Sequence, residues 1–116
     1  MINKTCVFAF LFVVLAFGFA CAHPPTDIVI SYDPTAKILK AVIYHNVANP
    51  EKHFIKKVDV SLNSKEIISQ AISRQDNLAT QTVSYLIPDV KLGDTLSVEA
   101  YCNIIGKLEK EIQAGK

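Results

Sequence analysis

Beyond residue 22, four side chains carry the imidazole or thiol groups that bind transition metals: His23, His45, His53 and Cys102. Imidazole nitrogen and thiolate sulfur are ligands for iron, copper and zinc, whereas Ca²⁺ and Mg²⁺ take oxygen ligands. The four residues are far apart along the chain, so they form a site only if the fold gathers them. Taken singly, each has a simpler interpretation: a histidine in a loop is commonly an idle surface group, and an inward-facing cysteine is commonly a small buried hydrophobe.

No common catalytic motif accompanies these residues. The sequence contains no G-x-S-x-G, C-x-x-C or H-E-x-x-H motif and no glycine-rich phosphate loop. Cys102 and a histidine could form a thiol nucleophile with its base, but nothing in the sequence supplies the third group that orients the base. Metal binding is therefore the chemistry that these residue types favour.

The N-terminus has the features of a secretory signal peptide over residues 1–22. Lys4 gives a positive start, residues 6–17 are all apolar, and Ala-Cys-Ala at 20–22 fits the A-x-A cleavage pattern. The pattern predicts a periplasmic or secreted protein whose mature domain spans residues 23–116. A membrane location is predicted only if the signal stays uncleaved or if Cys21 is lipidated.

Cleavage before His23 fixes the cysteine and charge balance of the mature chain. Cys102 is then the only cysteine, so it is buried and inert, paired with another chain, or bound to a metal. Removing 22 of the 116 residues leaves 94, enough for one small domain. Losing Lys4 leaves 11 basic residues against 11 acidic ones. Because nucleic-acid-binding proteins normally carry a basic excess, no nucleic-acid partner is predicted.

The mature sequence is dominated by short segments of alternating or β-branched residues that are separated by turn signals. Period-2 alternation is clearest where Val58, Val60 and Leu62 face inward and Asp59 faces outward. The pattern predicts an all-β fold, an immunoglobulin-like antiparallel β-sandwich of about seven strands. The predicted strands are Asp27–Asp33, Lys37–His45, His53–Asn63, Lys65–Ile72, Thr80–Ile87, Thr95–Asn103 and Lys107–Ile112. The main alternative is a helix over residues 65–73, whose apolar positions also suit helical spacing.

Strand direction predicts where the four metal-binding residues meet. Consecutive strands of a sandwich mostly run in opposite directions, so odd strands start at the end where even strands finish. His23 precedes strand one, His45 finishes strand two and His53 begins strand three, while Cys102 lies near the finish of strand six. We therefore expect all four at one end of the sandwich, as a metal site.

Two segments resemble a known family. Residues 45–55 (HNVANPEKHFI) are similar to the H-P-x…H-Y-I segment of the desulfoferrodoxin iron-binding domain, the superoxide reductase domain. Residues 99–106 (EAYCNIIG) are similar to the A-Y-C-N-x-H-G segment of that family. The resemblance covers nearly the whole mature chain, and it implies an immunoglobulin-like β-sandwich.

The resemblance also implies a ligand set and an activity. In that family one ferrous ion is held by four histidines and an axial cysteine thiolate, and it reduces superoxide to peroxide. Cys102 matches the thiolate, His45 and His53 match two of the histidines, and His23 lies near the position of another. Ile105 stands where the family has its fourth histidine, and isoleucine cannot bind a metal.

Iron is therefore the predicted cofactor, with copper or zinc as alternatives, because three histidines and one cysteine also suit those ions. A mature N-terminal His23 would add its amine as a copper chelate. The predicted function is a mononuclear metal-binding domain, a superoxide reductase-like oxidoreductase if active, with superoxide or a redox protein as partner. The alternative is a non-catalytic carrier or protein-binding module similar to sulfur-oxidation carrier subunits, in which Cys102 is simply part of the core.

Overall fold

The computed structural model describes residues 22–115, which form seven antiparallel strands in two sheets. This confirms the predicted β-sandwich. The strands are β1 (Asp27–Asp33), β2 (Ile38–Tyr44), β3 (Ile55–Leu62), β4 (Lys65–Ala71), β5 (Thr80–Leu86), β6 (Thr95–Cys102) and β7 (Lys107–Gln113). The helix alternative over residues 65–73 is wrong, because that segment pairs with β3 as strand β4.

The two sheets differ in size and contribute different parts of the core. The smaller sheet has the order β1-β2-β5 and the larger one the order β4-β3-β6-β7. Alternate residues of β2 and β6, each an inner strand of its sheet, are fully buried between the sheets, as period-2 side chains of a sandwich must be. These residues are Leu39, Ala41 and Ile43 on β2 and Leu96, Val98 and Ala100 on β6.

A bulge at the start of β3 adjusts the alternation that the sequence predicts. The pairing of β3 with β6 shifts between Ile55 and Lys57, so Ile55 and Val58 both face the core although they are three positions apart. An extra residue of this kind bends a strand and redirects the chain that leads into it. The bulge therefore helps to set the direction of the loop that precedes β3.

The outward-facing Asp59 is buried, which the alternating pattern did not predict. Only 7% of its surface is exposed. Its carboxylate accepts a hydrogen bond of 2.6 Å from the Ser69 hydroxyl and lies 3.5 Å from Lys57 Nζ. A buried carboxylate needs such partners to offset the loss of water.

The signal-peptide prediction and the possible lipidation of Cys21 concern residues outside the part that the structure describes. Among residues 22–115, no helix is long and apolar enough to cross a membrane.

Replacing Ser64 by Gly is expected to stabilise the protein. Asn63 and Ser64 form the two-residue turn between β3 and β4, both with positive φ (49° and 71°). A non-glycine residue at such a φ costs about 1–2 kcal/mol, of which the greater unfolded-state entropy of glycine cancels about 0.5–1 kcal/mol. Thermal unfolding should therefore show a melting temperature a few degrees higher.

Asn63→Gly is the matched control for the Ser64 variant. It relieves the same backbone conformation but removes the Asn63 side chain, which accepts a hydrogen bond from Thr95 N and donates one to Asp94. We expect Asn63→Gly to lower the melting temperature. A Ser64→Gly variant that is no more stable than the wild type would contradict the account of turn strain.

Candidate metal centre

His45, His53 and Cys102 converge at one end of the sandwich and form a buried group that could hold a metal ion. Their ligand atoms all lie within 4.8 Å of one another. His45 directly follows β2, His53 lies two residues before β3, and Cys102 is the last residue of β6. The strand-direction argument therefore predicted the placement of these three residues correctly.

The spacing of the three ligand atoms is close to what a metal ion needs. Tetrahedral coordination with bonds of about 2.0–2.3 Å separates ligand atoms by about 3.3–3.8 Å. From a separation of at most 4.8 Å, the atoms need to approach one another by no more than about 1.5 Å. Side-chain rotations of modest size cover this distance, so the strands can stay in place.

His23 reaches the same end of the sandwich, but its ring nitrogens point elsewhere. Its ring centroid lies 4.9 Å from that of His45 and 5.4 Å from that of His53. Nδ1 lies 2.8 Å from the Pro24 carbonyl oxygen and Nε2 lies 2.8 Å from the Asn46 carbonyl oxygen. The structure thus packs the predicted ligand His23 against the group without adding a nitrogen to it.

Gly106 makes this position of the N-terminal segment possible. It has a φ of +83°, and a Cβ atom at this position would lie 2.7 Å from Pro24 Cβ. Such a contact is closer than two carbon atoms tolerate, so only glycine lets residues 23 and 24 lie this close to the turn between β6 and β7. The glycine thereby places the His23 ring beside the other two histidines.

His53 carries the clearest sign of a missing partner. It is 7% exposed, and its Nε2 is buried with no hydrogen-bond partner among the described residues. Buried polar atoms are nearly always paired, so an orphan of this kind needs an explanation. A metal ion bound at Nε2 would supply one, and this observation indicates that the donor set fits an ion.

Local hydrogen bonds of the β2–β3 loop set the position of His53. Asn49 Oδ1 accepts from Glu51 N at 3.0 Å, and the Asn49 carbonyl oxygen accepts from Lys52 N and from His53 N at 3.1 and 2.9 Å. Asparagine followed by proline is a strong turn signal. The Asn49-Pro50 pair therefore forms the turn that presents His53.

His45 is held on both sides of its ring. Its Nδ1 lies 2.8 Å from Gln75 Oε1, and its Nε2 lies 3.0 Å from the His23 carbonyl oxygen. Both His45 and Gln75 are completely buried. Gln75 belongs to the polar loop before β5, and no feature of spacing or motif in the sequence singled it out.

The end of β6 supplies the sulfur of Cys102 and, in the next residue, an asparagine that binds the backbone around His53. Cys102 is a free, buried cysteine whose Sγ accepts a hydrogen bond from Ile104 N at 3.4 Å. The next residue, Asn103, accepts a hydrogen bond from Phe54 N at 2.8 Å and donates one to the Lys52 carbonyl oxygen at 3.0 Å. Asn103 thus holds the backbone on both sides of His53 and fixes that histidine against Cys102.

Ile105, at the position where the resemblance expects a fourth histidine, contributes nothing to the centre. Ile105 is 56% exposed, and its neighbour Ile104 is 55% exposed. The donor set of the group is therefore two imidazoles and one sulfur, without a carboxylate. Such a set is typical of sites for zinc, copper or iron and unlike the oxygen-rich sites of Ca²⁺ and Mg²⁺.

Comparisons of the chain with protein-family models, curated proteins and solved structures find no match.

The metal-free protein is expected to lose stability as the pH falls below about 6.5. Burial, and then the electrostatic influence of the neighbouring rings of His45 and His23, lower the pKa of His53 from its usual value of 6.5. Between the lowered pKa and 6.5 the unfolded chain binds the proton and the folded chain does not, so acidification favours unfolding. Melting temperatures measured in chelator from pH 7.5 down to pH 5 should therefore fall.

His53→Leu is the control for the pH dependence. It removes the titrating ring while keeping a buried apolar side chain, and His23 and His45 remain in place. Its melting temperature should fall less over the same pH range. Equal slopes in the variant and the wild type would mean that His53 is not responsible.

Proposed function

We propose that this protein is an exported domain that binds one transition-metal ion through His45, His53 and the thiolate of Cys102. The observation that carries the proposal is the convergence of three buried ligand atoms, one of which, His53 Nε2, has no other partner. Burial removes competing water and lowers the pKa of His53, which favours the neutral ring that binds an ion.

We propose iron as the ion. The support is the resemblance of residues 45–55 and 99–106 to the desulfoferrodoxin iron-binding domain, together with a nitrogen and sulfur donor set that suits iron. Zinc and copper accept the same donors, so the metal content of the purified protein distinguishes the three.

Reduction of superoxide is the activity that follows if iron is bound. A bound ferrous ion would supply one electron and become ferric, and with two protons superoxide would become hydrogen peroxide; repeated turnover would need an external one-electron reductant. Among the described residues the group offers three ligands, so positions on an ion would remain for His23, water or a small anion. If the site binds the ion but does not reduce superoxide, the protein would act as a metal carrier.

Metal analysis of the purified protein tests the proposal. We expect one metal ion per chain in the wild type and none in Cys102→Ser or His53→Ala. Ser97→Ala, on the same strand β6 as Cys102 but outside the group, is the matched control and should keep its metal. A wild-type protein that stays metal-free after incubation with iron, copper and zinc would overturn the proposal and favour a metal-independent carrier.

The activity is tested separately, by comparing superoxide consumption of the iron-loaded and zinc-loaded protein. Zinc has no redox chemistry in proteins, so it controls for the fold and the occupied site. Faster consumption with iron alone supports superoxide reduction. Equal rates with tight metal binding would limit the function to carriage of the ion.

A further inference from the structure

We propose that Gln75 is a positioning residue that holds His45 with its proton on Nδ1 and so leaves Nε2 as the nitrogen that can bind a metal ion. This inference rests on the proposed function for its purpose, but its structural part concerns the metal-free protein. The juxtaposition that carries it is a fully buried amide beside a fully buried histidine at the edge of the ligand group.

The orientation of the Gln75 amide is fixed by its surroundings. Its Nε2 donates hydrogen bonds to the His45 carbonyl oxygen at 2.7 Å and to the Asn77 carbonyl oxygen at 3.0 Å. An amide NH₂ has two donors, and both are used here. The reversed orientation would place Oε1 against two carbonyl oxygens, so Oε1 must be the atom that faces His45.

The proton on His45 follows from this orientation. Oε1 can only accept a hydrogen bond, so His45 Nδ1, 2.8 Å away, has to carry the hydrogen. A neutral imidazole has only one N–H, so a neutral ring with its hydrogen on Nδ1 would have Nε2 unprotonated. Partners of this type, on the far nitrogen of a metal-binding histidine, commonly orient the ring and set its tautomer.

A second acceptor competes for the same proton. The His23 carbonyl oxygen lies 3.0 Å from His45 Nε2 and would favour a hydrogen on that nitrogen. In the absence of Gln75 this carbonyl is the only acceptor that residues 22–115 offer to the His45 ring. Gln75 therefore decides between a histidine that can bind a metal through Nε2 and one whose Nε2 is occupied by a proton.

The backbone of Gln75 extends its influence to the second histidine. Its N–H donates a hydrogen bond to the Pro50 carbonyl oxygen at 3.0 Å, within the turn that presents His53. One residue thus joins the end of β2, the β2–β3 loop and the loop before β5. Replacing only its side chain separates the effect on the His45 proton from this backbone contact.

Nitrogen-15 NMR of the histidine rings in the metal-free protein tests the proposal. At pH 7.5 we expect the wild-type His45 to carry its proton on Nδ1. In Gln75→Leu the proton should move to Nε2, whereas Gln75→Glu, which keeps an acceptor at the same place, should retain the wild-type tautomer. A wild-type His45 protonated on Nε2 would overturn the proposal, even if neither variant folds.

Zinc affinity, measured in competition with a chelator, gives the second readout. Gln75→Leu should weaken binding by about 10–100-fold. Gln81→Leu is the matched control, because the buried Gln81 holds the same loop through Asp76 and forms no hydrogen bond with the His45 ring. An equal loss of affinity in both variants, with an unchanged His45 tautomer, would show that Gln75 acts only through the loop. If the wild type binds no metal, the proposed function fails while the NMR result still decides the role of Gln75.

Discussion

Saturation with the metal that the site prefers is expected to raise the melting temperature of the protein by about 11–22 °C. A ligand present at a hundredfold excess over its dissociation constant stabilises the folded state by about 2.7 kcal/mol. For a domain of this size, each kcal/mol moves the melting temperature by about 4–8 °C. Calorimetry with and without chelator measures the shift directly.

The size of this effect follows from where the ligands are anchored. His45 extends from β2 in the smaller sheet, while His53 leads into β3 and Cys102 ends β6, both strands of the larger sheet. The unfolded chain does not hold the three ligands together, so it binds the ion far less well and the binding energy adds to the free energy of unfolding.

Cys102→Ala is the variant that separates metal binding from general effects of metal on the protein. It should abolish the rise in melting temperature, whereas Ser97→Ala should retain it. A rise of equal size in Cys102→Ala would mean that the ion binds elsewhere.

The second large effect is expected for Asn103→Ala, which should lower the free energy of unfolding of the metal-free protein by about 1–3 kcal/mol. The substitution leaves the part-buried Phe54 N without its 2.8 Å acceptor and the Lys52 carbonyl oxygen without its donor. Urea unfolding measures the change, provided that the slope with urea concentration is the same in both proteins.

The same variant should weaken metal binding by tenfold or more, since Asn103 holds the backbone directly before and after His53. Asn103→Asp keeps the acceptor for Phe54 N and loses only the donated bond, so we expect an intermediate effect. Asn46→Ala, an exposed position after β2 whose side chain forms none of the observed hydrogen bonds, is the matched control and should bind as the wild type does. Unchanged metal affinity in Asn103→Ala would show that the Asn103 hydrogen bonds do not position His53 for metal binding.

The sequence predicted the parts of this fold that depend on local pattern. Period-2 alternation and turn residues located all seven strands to within two residues, and strand direction then placed His45, His53 and Cys102 together. The core alternation of β6 was also correct, with Leu96 and Val98 fully buried. The positions and directions of the strands follow from residues close together in the sequence, so they could be predicted without a structure.

The features that the sequence did not predict depend on contacts between distant segments. The ring nitrogens of His23 face backbone carbonyls because Gly106 lets Pro24 pack closely, and no periodicity reports such a contact. Gln75 lies in a loop whose course is set by its hydrogen bonds to His45 and Pro50. Asp59 is buried although it faces outward, so its register alone could not predict its exposure.

The anchoring of the ligands in different sheets has a mechanical consequence. A bound ion would act as a reversible cross-link between the two sheets at one end of the sandwich. Pulling the layers past each other would then require breaking bonds to the metal as well as separating apolar surfaces. The resistance of the molecule to force would therefore depend on the supply of metal around it.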